Sequence, residues 1–214
     1  MMRACIDARQ QLLVHCNGDA AAQQMIDCYR RVTAQSPVHD DRPVMIHAQL
    51  VRPDQLQQMA QLHILASFFV AHTYYWGDTH IQNFGLARSQ SISPVQSAIQ
   101  NGVIYTFHQD TPVLPPDMLD TIGCAMARTT RNGTVLGASE RVSAYEALKA
   151  ITINAAYQYH EEHEKGSIRA GKRADLVILE QDPLKASAQE IKQIPILTCI
   201  KDGQVIYDHA NDAV

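Results

Sequence analysis

Short apolar runs and helical stripes alternate along the first half of the chain. Gln11 to His15 is apolar enough to predict a strand, and after Gly18-Asp19 the residues Ala22, Met25, Ile26 and Tyr29 recur at helical spacing. Pro43 to Ala48 (PVMIHA) repeats the unit. It reads as a buried strand, after which Pro53 opens a helix with Leu56, Met59, Ala60 and His63 on one face. His63 to Val70 predicts a third strand. An irregular aromatic stretch follows, and Ser93-Pro94 then predicts a helix start with Ser93 as cap. Gly102 stops that helix before a fourth strand, Val103 to Phe107. Strands alternating with helices predict an α/β fold with a parallel sheet, and such sheets collect ligands at the carboxyl ends of their strands.

Past Asp110 the pattern changes. Ser143 and Glu146 have capping-box spacing at the head of one long helix through Ala147, Leu148, Ile151 and Ala155, and HEEHEKG is its solvated end. The tail, GSIRAGKRADLVILEQDP and then PILTCIKDGQVIYD, reads as short strands. Asp202-Gly203 is a two-residue signal for a type I′ hairpin. Gly166, Gly171 and the turn Lys172 to Asp175 serve a tight entry into LVIL, where Asp175 is placed to bond nearby backbone amides.

Composition narrows the class. The 214 residues are 46% hydrophobic and 19% charged, a globular mixture with enough chain to bury a core. A formal charge of −4 with no basic stripe argues against nucleic acid as a partner. The five cysteines are scattered without a C-x-x-C pair, which favours a reducing cytoplasm. No apolar run is long enough to cross a membrane, and MMRACIDARQQLLVHC lacks a secretory core.

Candidate chemistry stands where the strands end. The first closes on His15, the second on His47, and the fourth runs through His108 to Asp110 (FHQDTPVLPPD). Imidazole nitrogen and carboxylate oxygen on one face of a sheet suit zinc or a similar divalent ion. Taken singly, a histidine closing a buried strand is more often a hydrogen-bonded core residue, and Asp110 before Thr111-Pro112 also fits a turn cap. His108 shares a face with Asp110 by strand alternation and either orients it or touches substrate. The loop HTYYWGDTHIQNFG gathers His72, Trp76 and His80, which fit substrate recognition or packing of the loop against the sheet rim. His63 reads as structural.

In order along the chain, HCNGDAA, IHAQLVRPDQL, HQDTPVLPPD, EALKAITINAA and KGSIRAGKRADLVIL resemble the amidohydrolase superfamily, closest to its amidohydrolase 3 (YtcJ-like) branch. The resemblance implies a (β/α)8 barrel with a β-sandwich portion and a metal site at the barrel mouth. It carries His15 onto the fifth-strand ligand, His47 onto the sixth-strand ligand and Asp110 onto the eighth-strand aspartate that binds metal and moves protons. The implied reaction is hydrolysis of a non-peptide C–N bond in a small amide-like substrate.

A complete barrel takes about 250 residues, and this chain supplies the equivalents of strands five to eight alone. The expectation is therefore the C-terminal half of a TIM barrel over residues 1–163 and a β-sandwich segment over 164–214. The His-x-His pair and the fourth-strand ligand of the resemblance are missing, so a divalent metal, zinc first, is expected to bind weakly. Two readings compete: a metal-dependent amidohydrolase, or a truncated remnant or half-enzyme that needs a second copy or a partner chain. A third, a doubly wound domain with unrelated binding, leaves the β-rich tail unexplained.

Overall fold

The computed structural model describes residues 1–35 and 39–212. A helix α1 (Met2–Asp7) precedes four strands, β1 (Leu13–Cys16), β2 (Val44–His47), β3 (Leu65–Phe68) and β4 (Tyr105–Phe107), which pair in parallel in the order β1-β2-β3-β4. The connections carry α2 (Asp19–Thr33), α3 (Pro53–Gln61), then α4 (His72–Tyr75), α5 (Gly77–Phe84), α6 (Leu86–Ser89) and α7 (Val95–Gln100). The residues expected on the inner stripe of α2, Ala22, Met25, Ile26 and Tyr29, are those it buries. They meet Met45, Ala66, Phe68, Tyr105 and Phe107 from the sheet and Leu56 and Met59 from α3 in one apolar core. Burying a side chain of that size stabilises by about 1.5–3 kcal/mol.

After β4 come α8 (Met118–Ala127), α9 (Ala144–Ile151) and α10 (Ile153–Gln158). A separate antiparallel sheet follows, β5 (Leu176–Leu179), β6 (Ile196–Lys201) and β7 (Gln204–Asp208), in the order β5-β6-β7, and a short helix α11 (His209–Asp212) ends the described residues. Its hairpin has Asp202 at φ 50 and Gly203 at φ 79, the two left-handed residues that a type I′ turn requires. Asp175 accepts the Asp202 backbone N–H at 2.9 Å, as its place in the turn predicts.

Several local expectations need correction. The strands are shorter than the apolar runs: β1 begins at Leu13, not Gln11, because Gln11 turns its amide to the Arg42 and Gln158 carbonyls. His63 is neither on the α3 face nor in β3; it is an exposed left-handed residue at φ 53 that ends the helix. Ser93 does not cap α7. It is itself left-handed at φ 46, its buried hydroxyl has no partner, and Pro94 stands at the cap position. The long helix after Ser143 is two, broken at Thr152, whose hydroxyl bonds back to the Leu148 carbonyl at 2.6 Å. Only half of the capping box forms. Ser143 Oγ accepts the Glu146 N–H at 3.2 Å, while the Glu146 carboxylate turns to the Tyr105 hydroxyl and to Lys149.

Helix α10 and the chain just after it tie the base of the parallel sheet. Arg42, buried just before β2, forms a bidentate pair with Glu162 at 2.8 and 2.9 Å, also holds Asp40, and lies 3.7 Å above the Tyr157 ring. Gln158 accepts from Thr106 of β4 at 2.7 Å through its side chain and from Gln11 at 2.6 Å through its carbonyl. Asn154 donates to the Tyr105 carbonyl of β4 at 2.9 Å. A second buried arginine, Arg128, spends its guanidinium on the backbone carbonyls of Leu136, Ser93 and Ile92.

Candidate active site

Strand parity sets two faces on the parallel sheet. His15, Ile46, Ser67 and Thr106 lie in register across the four strands, as do their neighbours Cys16, His47, Phe68 and Phe107. Cys16, Phe68 and Phe107 point into the core beneath the helices. His47 would follow them if its backbone stayed extended. It does not: His47 has φ 71 and Ala48 φ 46, a left-handed pair that ends β2. Histidine is among the residues that tolerate this region. The turn swings its ring over to the other face, edge-on to His15 at 4.6 Å between ring centroids and 4.9 Å from His108.

Three donor groups converge there. One ligand atom each from His47, His108 and Asp110 lie within 4.8 Å of one another. Asp110 is a left-handed residue too, at φ 53, and its carboxylate is exposed. His47 Nδ1 and His108 Nε2 stand 3.2 Å apart, and the other nitrogen of His108, Nδ1, lies 2.8 Å from Ser67 Oγ on the inner face of β3. His15, one of the three ligands expected from sequence, touches the group through His47 while its Nε2 lies 3.5 Å from Asn17. His108, expected either to orient Asp110 or to touch substrate, has a ring nitrogen among the three convergent donor atoms.

The aromatic loop divides into a part beside the histidine cluster and a part packed in an apolar cluster. His72 stacks parallel to His47 at 6.1 Å and sits 5.6 Å from His80, which in turn stacks on Phe84. Gln49, buried past the end of β2, holds His80 Nε2 at 2.9 Å. Tyr74, Tyr75 and Trp76 pack against a small apolar cluster of Phe69, Ala71, Leu114 and Cys124. Trp76 belongs to both halves, with its ring 5.3 Å from His72 and 5.8 Å from Phe69.

Burial decides the electrostatics. It pulls the imidazole of His72 down to about 3, with a smaller push from His80, His47 and His108, and that of His108 to about 4, with a smaller push from His47 against the pull of Asp110. His47 is lowered by burial and by His15, against the pull of Asp110, and His80 is lowered by burial. These rings are therefore neutral near pH 7 and have lone pairs to give. The Nδ1 atoms of His72 and His80 are buried without a partner, an arrangement that costs stability unless something polar meets them.

Two neutral imidazoles and a carboxylate within reach of one another fit a divalent cation of the zinc type by donor chemistry. Sequence reasoning missed Ser67, which supports His108 of this group, and Gln49, which holds His80 beside it. Ser67 carried a signal: it is the one polar residue in the strand LASF, which alternation places on the face away from the helices.

The chain is similar to known proteins over nearly its whole length. It is 31% identical over 202 residues to the N-substituted formamide deformylase of Arthrobacter pascens, covering 92% of this chain and 36% of that protein. It is 29% identical to the Arabidopsis thaliana protein LONG AFTER FAR-RED 3, over 91% of this chain and 34% of that one. Among solved structures, a metal-dependent hydrolase from Pyrococcus furiosus superposes with a TM-score of 0.71 at 28% identity, over 86% of this chain and 37% of the other. The chain thus spans about a third of the length of the relatives it matches. The model of the amidohydrolase family matches residues 1–207, and with the order of strands and the motifs at their ends it establishes that this chain belongs to the amidohydrolase family.

Proposed function

We propose that the chain carries a divalent-metal site, zinc first, that hydrolyses a non-peptide C–N bond in a small amide-like substrate. The convergence of His47, His108 and Asp110 at the carboxyl ends of parallel strands is the observation that carries this reading. His15 stands beside them as a further donor for a larger ligand set. When bound, the ion supplies Lewis-acid polarisation of the carbonyl and a more acidic water. Asp110, exposed and next to His108, accepts the proton of the attacking water and returns it to the leaving nitrogen. His72, Trp76 and His80 form the wall against which the substrate lies, and the neutral rings of His72 and His80 offer it hydrogen bonds. The name of the Arthrobacter relative makes N-substituted formamides the first compounds to try.

Within the same proposal, residues 1–163 correspond to strands five to eight of a (β/α)8 barrel and 164–214 to part of a β-sandwich, in a cytoplasmic protein. A half-enzyme completed by a second copy or a partner chain is the alternative that one observation favours. Leu13 on β1 and Ile104 before β4 are 47% and 37% exposed, and among the described residues β1 and β4 each pair on one side only. The test is to incubate the zinc-loaded chain with a panel of N-substituted formamides and to follow amine and formate release. Hydrolysis that disappears in Asp110→Asn supports the enzyme. A chain that takes up no divalent metal overturns it, and one that binds metal but hydrolyses only after a partner is added selects the half-enzyme.

A further inference from the structure

We infer that Ser67 is a positioning residue that accepts the Nδ1 proton of His108 in a hydrogen bond and thereby supports the tautomer in which the histidine pair can receive a cation. The inference rests on reading His47 and His108 as metal donors, and it concerns a residue outside that donor set.

Ser67 lies in the middle of β3, 3% exposed, and its Oγ is 2.8 Å from His108 Nδ1. Across the ring, His108 Nε2 faces His47 Nδ1 at 3.2 Å. A neutral imidazole carries one proton, so these two contacts are coupled through the ring. If the Ser67 hydroxyl donates to Nδ1, the proton of His108 sits on Nε2 and is given to His47; the two histidines then satisfy each other and no lone pair is left between them. If Ser67 instead accepts an N–H from Nδ1, the Nε2 lone pair is released toward His47 and Asp110, where a cation fits. A hydroxyl rotates between these roles without moving its oxygen, so the same geometry serves both states. Among the described residues no other side chain bonds His108 Nδ1. Alanine at 67 would leave that nitrogen without its described partner, and the tautomer needed for metal would lose that support.

Second contacts of this kind on metal-ligating histidines are worth roughly 10- to 100-fold in affinity. The experiment uses the full chain with 15N-labelled histidine, assigning His108 by its loss in His108→Gln, and titrates zinc chloride against a chromogenic chelator. We expect the His108 proton on Nδ1 in the zinc-loaded chain, zinc bound at least about tenfold more weakly by Ser67→Ala, and affinity recovered in Ser67→Thr. A His108 proton on Nε2 in the loaded chain overturns the inference, as does Ser67→Ala binding zinc like the wild type or Ser67→Thr folding but binding as weakly as Ser67→Ala. If Ser67→Thr does not fold, the zinc affinity of Ser67→Ala decides, read together with the nitrogen spectrum of the unmodified chain. A wild-type chain that takes up no zinc removes the donor assignment itself, an outcome distinct from the others.

Discussion

His108 Nε2 and His47 Nδ1 face each other across 3.2 Å although the residues are 61 apart in the chain. Two ring nitrogens hold that distance only with a proton or a cation between them, since opposed lone pairs repel. The pair therefore ties the end of β2 to the end of β4 through whatever occupies the gap.

His47→Ala and His108→Ala are each expected to weaken zinc binding by at least about tenfold, whereas His15→Ala, one ring further out, should do less. Asp110→Asn should slow turnover by about 100-fold or more while leaving the fold intact. Chelator competition and amine release check these. Equal loss in all three histidine variants would point to His15 as a direct donor.

Replacing Trp76 by Ala should raise KM more than it lowers kcat, because its ring flanks His72 without reaching Asp110's partners. Steady-state kinetics on the best formamide substrate decides. Unchanged KM and kcat with lowered stability would assign Trp76 to packing alone.

The Arg42–Glu162 pair has a pH signature. Arg42 draws the Glu162 carboxyl down from its ordinary 4.5 to about 2, so the folded state holds the charged form more tightly than the unfolded chain does. A carboxylate depressed on folding stabilises above its unfolded value, and that stability is lost as pH falls from about 4.5 toward 2. Urea midpoints across this acid range should fall less steeply in Glu162→Gln than in the wild type. Arg42→Ala, which strands Glu162 and the Tyr157 carbonyl, should cost about 3 kcal/mol at neutral pH.

Arg128→Lys is expected to destabilise by about 2–4 kcal/mol, because one ammonium cannot reach the three carbonyls that the buried guanidinium serves. Thermal unfolding measures this. An unchanged midpoint would mean that water replaces the lost donors.

Leu13→Lys should reduce self-association if the edge of β1 and the open inner face are where copies meet. Light scattering coupled to size exclusion, at low and high concentration, gives the comparison. A wild-type chain that stays monomeric throughout would remove this reading.

The parallel strands, the stripe of α2 and the Asp202-Gly203 hairpin were legible because each follows from local chemistry: apolar runs, helical spacing, a turn that needs left-handed residues. Helix α8 was not. It buries Thr121, Ile122, Gly123, Cys124 and Ala125 in succession, so it has no one-sided stripe to read. The break at Thr152 was hidden inside a good helical pattern, because it depends on where α10 must turn to meet the sheet base. At the site, position at the strand ends brought forward His47 and Asp110 as candidates and put His108 beside Asp110. Which histidine becomes the third convergent donor depends on the left-handed turn at His47, and no periodicity encodes that turn.

That turn also limits which sequences can arise at position 47. Valine, isoleucine and threonine are excluded by the steric cost of a branched side chain at φ 71, whatever their merit inside a sheet. Asparagine, aspartate and glycine keep the backbone, but only aspartate also keeps a strong metal donor. Mutational drift at this end of β2 therefore runs through a narrow corridor, with aspartate as the nearest substitution that keeps both the backbone and a donor. A selection on a randomised codon 47 would return histidine and aspartate when metal uptake is required, and would add asparagine and glycine when only folding is.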